Sequence, residues 1–153
     1  HVAPHQTGAP SRAGLAEGVE PLAFEDLVLP SYRPRAVLDD DVARGGEELF
    51  PPEILALDGR SVAIEGFMMP LDYLADRVSQ FVLSPYPPGC CFGGLPGMDE
   101  WVDVEVLDPA GCEYFAYRTI RVTGTFEVGE VLDDYGYVSS VYRLRATAVE
   151  RLW

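Results

Sequence analysis

The chain has 153 residues, of which 48% are apolar, so it can bury the core of one domain and carry an appendage. Its formal net charge is −14, and each of its 11 basic residues is an arginine. A surface this acidic repels phosphate backbones and anionic lipids, which argues against nucleic-acid binding and favours a protein partner. No apolar stretch reaches the roughly 20 residues that a membrane-spanning helix needs, so no transmembrane segment is predicted.

The first third of the chain, residues 1–50, has the composition of an extended arm and linker. Residues 1–18 are rich in Ala, Gly and Pro, which is common in a tether that follows a cleaved export signal. We therefore expect an exported protein, located in the periplasm or on the outer face of a membrane. Residues 19–35 allow one short helix or turn, which Pro30 would end, and the rest of this third is predicted to be an acidic linker.

From residue 51 onward the chain is predicted to be rich in β-structure. A single helical turn and an Asp-Gly turn signal lead into the first strand. The spacing of Leu71, Leu74 and Val78 predicts a short helix or ordered loop over residues 70–80. Alternating or continuous apolar runs predict five strands, at residues 61–69, 81–84, 101–106, 119–128 and 137–149.

Glycines inside two of these strands indicate the fold. Gly66 and Gly124 lie within the first and fourth strands, where glycine permits the tight coiling of a small barrel. The expected fold class is therefore mainly β. Residues 51–153 should form a five-stranded barrel like the oligonucleotide/oligosaccharide-binding (OB) barrel, with an extended N-terminal arm over residues 1–50. A small β-sandwich is the alternative.

Two adjacent cysteines, Cys90 and Cys91, lie in a stretch rich in Gly and Pro between the second and third strands. Such thiols could bind a soft metal, form a vicinal disulfide, bridge to Cys112 or simply lie buried. Met68 and Met69 end the first strand, and thioethers combined with thiolates select Cu(I). Zinc prefers four nitrogen or sulfur ligands, and both histidines lie in the arm. Alternatively, a methionine fills the core and a cysteine packs as a small apolar residue.

No known catalytic motif is present. The chain has no Gly-x-Ser-x-Gly elbow, no Walker loop and no dinucleotide-binding glycine motif, and carboxylate pairs such as Asp133-Asp134 are typical of solvated loops. We predict no catalytic residue and no cofactor, with copper or zinc as the alternative. Tyr86, Phe92 and Trp101 are near the cysteine loop in the sequence and predict a protein interface, where aromatic residues are enriched.

Three separated blocks occur in order: Leu-Asp-Gly at residues 57–59, Gly-Phe-Met-x-Pro-Leu at 66–71 and Gly-x-Cys at 89–91. Together they resemble the bacterial domain-of-unknown-function family 3299, over roughly residues 51–153. The resemblance implies an exported or lipid-anchored bacterial protein, often encoded near membrane transport or metal-homeostasis functions, with no established activity. In one branch of the family a His follows the loop Cys by two residues. The matching position here is Phe92, which removes a nitrogen ligand from any Cys/His zinc site.

Two functions are consistent with these observations. The first is a non-enzymatic, exported accessory or structural subunit that docks through its N-terminal arm onto a larger assembly, which could be membrane-associated. The second is a periplasmic metal-handling protein that binds Cu(I) or Zn²⁺ through the loop of Cys90 and Cys91. A contacting protein chain or a stoichiometric metal would distinguish them.

Overall fold

The computed structural model describes residues 14–29, 50–74, 76–87 and 97–152. The strands are β1 (Glu20–Leu22), β2 (Ser61–Leu74), β3 (Arg77–Ser84), β4 (Val102–Val106), β5 (Cys112–Glu113), β6 (Ile120–Leu132) and β7 (Val138–Arg151). Helix α1 (Pro52–Leu55) and two 3₁₀ helices, Phe24–Leu27 and Met98–Glu100, are each a single turn. None of the helices in this described part of the chain is long and apolar enough to cross a membrane.

Five strands close a ring because β2 is long enough to pair with two neighbours. Residues 61–66 of β2 pair antiparallel with β6, and residues 67–74 pair antiparallel with β3. From β3 the sheet continues to β4, then in parallel to β7, and back through β7 to β6. The ring is barrel-like but not evenly round about an axis. The prediction of a mainly β, five-stranded OB-like barrel is confirmed.

The short helix or loop predicted over residues 70–80 is wrong. Residues 70–74 form the end of β2 and residues 77–80 the start of β3, and the two strands pair antiparallel as a β-hairpin. Pro70 and Asp72 mark register shifts in the pairing, and such bulges tolerate a proline that lacks an N–H donor. Leu71 is exposed. The apolar spacing therefore did not mark the buried face of a helix.

Glycines at two positions allow strands to approach closely. A Cβ built on Gly66 would lie 2.6 Å from the carbonyl oxygen of Ser84, and one on Gly124 would overlap the carbonyl oxygen of Arg145. Real Cβ atoms do not approach backbone oxygens so closely, so any other residue would push the strands apart. Both glycines are predicted to permit tight coiling, and each lies where a neighbouring strand comes close to it.

The barrel core is centred on the fully buried side chain of Tyr142 in β7. Its ring stacks on Phe126, with 5.6 Å between ring centroids, and lies 6.1 Å from the ring of Phe50 at a tilted angle. Inward-facing positions of the strands fill the remaining volume, among them Ile64, Phe81, Val104 and Leu144. The period-2 alternation of β4 and β7 places Val104 and Leu144 on the inward face of the sheet.

The segment from Glu20 to Leu29, within the predicted arm, packs into the barrel. β1 pairs in parallel with residues 62–64 of β2, along the edge that β3 leaves free, and so covers an otherwise open strand edge. Phe24 and Leu27 of the following 3₁₀ helix are buried in the same core cluster. Burial of two such side chains contributes about 2 kcal/mol each to stability. The predicted short helix or turn in this region is therefore present, and it is part of the core.

Candidate binding surface

The end of the β6–β7 hairpin is apolar and exposed. We call residues 129–140 the tyrosine hairpin, because Tyr135 and Tyr137 are 79% and 57% exposed there. Val131 and Leu132 are exposed beside them. Four large apolar side chains thus face solvent within a short stretch of chain, a pattern that marks interaction sites more often than single exposed apolar residues do.

The turn of this hairpin is held by its own hydrogen bonds. The carboxylate of Asp133 accepts bonds from the backbone N–H groups of Tyr135, at 2.8 Å, and Tyr137, at 3.0 Å. The N–H of Gly136 donates to the carbonyl oxygen of Asp133, and the N–H of Asp133 donates to that of Tyr137. An Asx turn closed in this way fixes the backbone that carries the two tyrosines.

The tyrosine hairpin is also acidic. It contains Glu130, Asp133 and Asp134 and no basic residue. The guanidinium of Arg143, in the adjoining part of β7, donates to the carbonyl oxygen of Gly129 and so is directed at the base of the hairpin. Within the hairpin itself, which carries the exposed aromatic rings, every charged side chain is therefore negative.

A shallow groove of about 300 Å³ crosses the outer face of the sheet from β3 to β6. Charged side chains on neighbouring strands pair across it: Arg143 with Glu127 at 3.5 Å and Arg145 with Glu105 at 3.9 Å. Gln80 donates to Asp103 at 3.1 Å. Such exposed cross-strand pairs contribute little stability individually. We interpret them as polar side-chain pairs that cover the outer face of the sheet, on the side away from the core.

Cys112 lies in β5, beside the beginning of β3. It is a free thiol, buried where β5 pairs with Val78 near the beginning of β3. Burial raises the pKa of the Cys112 thiol above its ordinary value, although the nearby guanidinium of Arg77 acts in the opposite direction. A buried thiol with a raised pKa is a poor nucleophile.

Several residues predicted to bind metal or a partner lie outside the described residues: Cys90, Cys91 and Phe92. Two predicted interface residues flank that loop, and both are partly buried. The N–H of Tyr86 donates to the hydroxyl of Ser84, and Trp101 immediately precedes β4. Their roles at an interface stay predictions.

The two predicted thioether ligands point to opposite faces of β2. Met68 is buried in the core, as one of the sequence alternatives has it, whereas Met69 is 44% exposed. Because neighbouring side chains of a strand alternate, they cannot both turn toward one outer site. Across the part of the chain that the structure describes, no three His, Cys, Asp or Glu side chains are grouped as a metal site requires. Metal binding through Cys90 and Cys91 stays a prediction.

Comparisons with known proteins address the family directly. The family described as a protein of unknown function, DUF3299, matches residues 52–151. The chain belongs to the DUF3299 family. It is also similar to a crystal structure, at 2.45 Å resolution, of a DUF3299 family protein from Pseudomonas aeruginosa PAO1, with 27% identity and a TM-score of 0.53. That similarity covers 64% of each chain, so it spans less than two thirds of the solved protein. A comparison with curated proteins found no match.

Two of the three blocks that resemble DUF3299 have structural roles in this barrel. In the first, the carboxylate of Asp58 accepts a bond from the N–H of Val128 at 2.9 Å, which ties the lead-in to β6. In the second, Gly66 allows β3 to approach closely, and Met68 fills the core. In this DUF3299 domain, both blocks therefore contribute to the pairing and packing of the barrel.

The tyrosine hairpin was not recognised from the sequence. The sequence pattern predicts solvated loop charges at Asp133 and Asp134 and the beginning of a strand at Tyr137. The available signal was the run Asp-Asp-Tyr-Gly-Tyr between two alternating segments, which places aromatic residues at a turn instead of in a core.

Proposed function

We propose that this chain is a non-enzymatic, exported accessory protein that acts by binding another protein within a larger assembly. The observation that supports this most is the display of large apolar side chains on an ordered acidic hairpin. Aromatic residues are enriched at protein interfaces, and clustered apolar exposure is costly on a surface with no partner.

Two further features are consistent with a binding role. The net charge of −14 opposes binding to nucleic acid and to anionic lipid. The N–H of Leu29 donates to the carboxylate of Asp99 at 2.6 Å. This bond fixes Leu29, the last described residue before residues 30–49, on the barrel. Docking through the arm would use residues 1–13 and 30–49, which lie outside the described residues, so it stays a prediction.

The test is co-purification at native expression level. The full chain, tagged at its carboxyl end in the cells that encode it, should elute with another protein in a constant molar ratio through two orthogonal columns. The chain should also be found in the fraction outside the cytoplasm. Elution at the mass of a free monomer from gently lysed cells would contradict the proposed function.

A further inference from the structure

The tyrosine hairpin stands out among the surfaces of the barrel. The described residues expose ten large apolar side chains, and four of these lie between Val131 and Tyr137. The others are distributed over β2, the segments beside β4 and β5, and Val28. Among the described residues, the hairpin brings four such side chains together within seven positions, on a turn that its own hydrogen bonds define.

A preformed turn favours recognition by a folded surface. Asp133 uses its carboxylate to hold the N–H groups of Tyr135 and Tyr137, so the backbone that presents both rings is already fixed before binding. Each tyrosine side chain has few rotatable bonds and loses little conformational entropy when it is covered. The hairpin can therefore contribute affinity without the cost of ordering a loop.

Charge selects the partner. The hairpin holds three carboxylates and no basic residue, and the whole chain carries a net charge of −14. A second copy of this chain, or an anionic lipid surface, would place like charges against one another. A basic protein surface would be attracted, and arginine side chains can stack on tyrosine rings while they pair with carboxylates.

We infer that the tyrosine hairpin docks onto a basic, arginine-bearing surface of a folded protein, with Tyr135 and Tyr137 at the centre of the contact and Asp134 at its rim. This inference rests on the proposed function, because it names the surface and the partner chemistry through which that function would be carried out.

The experiment is site-specific photo-crosslinking of the full chain in the cells that encode it. A photoreactive benzoylphenylalanine replaces Tyr135 in one variant and Tyr117 in a matched control, since Tyr117 is 68% exposed but lies between β5 and β6, outside the hairpin. We expect the probe at position 135 to crosslink to one folded protein at a segment with more Arg and Lys than Asp and Glu. The probe at position 117 should give at most a weak background.

The crosslinked protein is then purified, and its affinity for hairpin variants is measured. Tyr135→Ser combined with Tyr137→Ser should weaken binding by about tenfold or more, as expected for central aromatic contacts. Asp134→Arg should weaken it too and should reduce its dependence on salt. Tyr117→Ser should change it by less than about twofold. Because the tyrosine variants keep the net charge, their loss of affinity cannot come from long-range attraction alone. Unchanged circular dichroism confirms that they remain folded.

The remaining outcomes distinguish failure of the proposed function from failure of the docking role of the tyrosine hairpin. If the chain co-purifies with a partner but position 135 gives no crosslink, the proposed function stands and the hairpin assignment is wrong. Crosslinks from position 135 to a second copy, to lipid or to an acidic segment overturn the inference as well. If nothing co-purifies and neither position crosslinks, both claims fail.

Discussion

The hydroxyl of Tyr142 donates a 2.7 Å hydrogen bond to the carbonyl oxygen of Leu27, a residue 115 positions earlier in the chain. This buried bond joins the centre of the barrel core to the segment that continues from β1. It gives the phenol an acceptor in an apolar environment, and it gives the buried carbonyl oxygen of Leu27 a donor. The amino-terminal segment and the barrel are therefore stabilised together.

Tyr142→Phe should lower the free energy of unfolding by about 1–3 kcal/mol, because the carbonyl oxygen of Leu27 would remain buried without a donor. Ring packing against Phe126 and Phe50 would be retained. Denaturant titration of the full chain measures this change. Tyr137→Phe is the control, since its ring is exposed and its loss of a hydroxyl should change stability by less than about 0.5 kcal/mol. Equal effects of the two substitutions would contradict the importance of the bond.

Leu27→Ala should destabilise the whole domain by about 2–5 kcal/mol, because a fully buried side chain would leave a cavity in the shared core. Val28→Ala is a matched control one residue away. The side chain of Val28 is 48% exposed, so its truncation should cost less than about 0.5 kcal/mol. A single cooperative transition that shifts only for Leu27→Ala is expected. A small effect at Leu27 would mean that this segment is not part of the folded core.

Gly66→Ala should be strongly destabilising or should prevent folding, because the new methyl group would lie 2.6 Å from the carbonyl oxygen of Ser84. The backbone there, held by the pairing of β2 with β3, cannot move without breaking that pairing. Gly14→Ala provides the comparison, since its methyl group would meet only the flexible end of Arg121, at 3.1 Å. We expect soluble yield and melting temperature to drop for the first variant and to stay near those of the original protein for the second. Wild-type behaviour of Gly66→Ala would show that the strands are less closely packed.

The buried thiol of Cys112 makes stability depend on pH at alkaline values. Its pKa is raised in the folded protein above the ordinary 9.0, so the unfolded state loses this proton first as the pH rises. The contribution to stability is fully present below pH 9.0 and is lost as the pH increases toward the folded-state pKa. Denaturant titrations of the original protein and of Cys112→Ala, carried out from neutral to alkaline pH, measure the free energy of unfolding of each. The difference between the two free energies should change only in the alkaline range. A difference that stays constant throughout would contradict a raised pKa for the buried thiol.

The strands of the barrel could be predicted from the sequence because their alternation has a period of two residues. This holds for β4, β6 and β7, where inward positions carry Val, Ile, Phe and Leu. The three residues of β1 are too few to show any period, and their pairing with β2 depends on an edge that exists only in the folded ring. The hairpin after Pro70 was missed because three apolar residues happened to have helical spacing.

The candidate binding surface was harder to predict for a physical reason. Exposure of Tyr135 and Tyr137 depends on how far the β6–β7 hairpin extends past the strands that flank it, and no local pattern encodes that distance. The prediction for the cysteine loop used the residues with the most distinctive chemistry, but Cys90 and Cys91 lie outside the described residues. Met68, their predicted ligand partner, fills the core.

The most direct test of the account is amide hydrogen exchange, measured on the free chain and on its complex with the co-purified protein. Binding through the tyrosine hairpin predicts slower exchange at residues 131–137 in the complex, with little change at Tyr117, which lies before the beginning of β6. Protection that is confined to other surfaces, with the hairpin exchanging equally fast in both states, would contradict it.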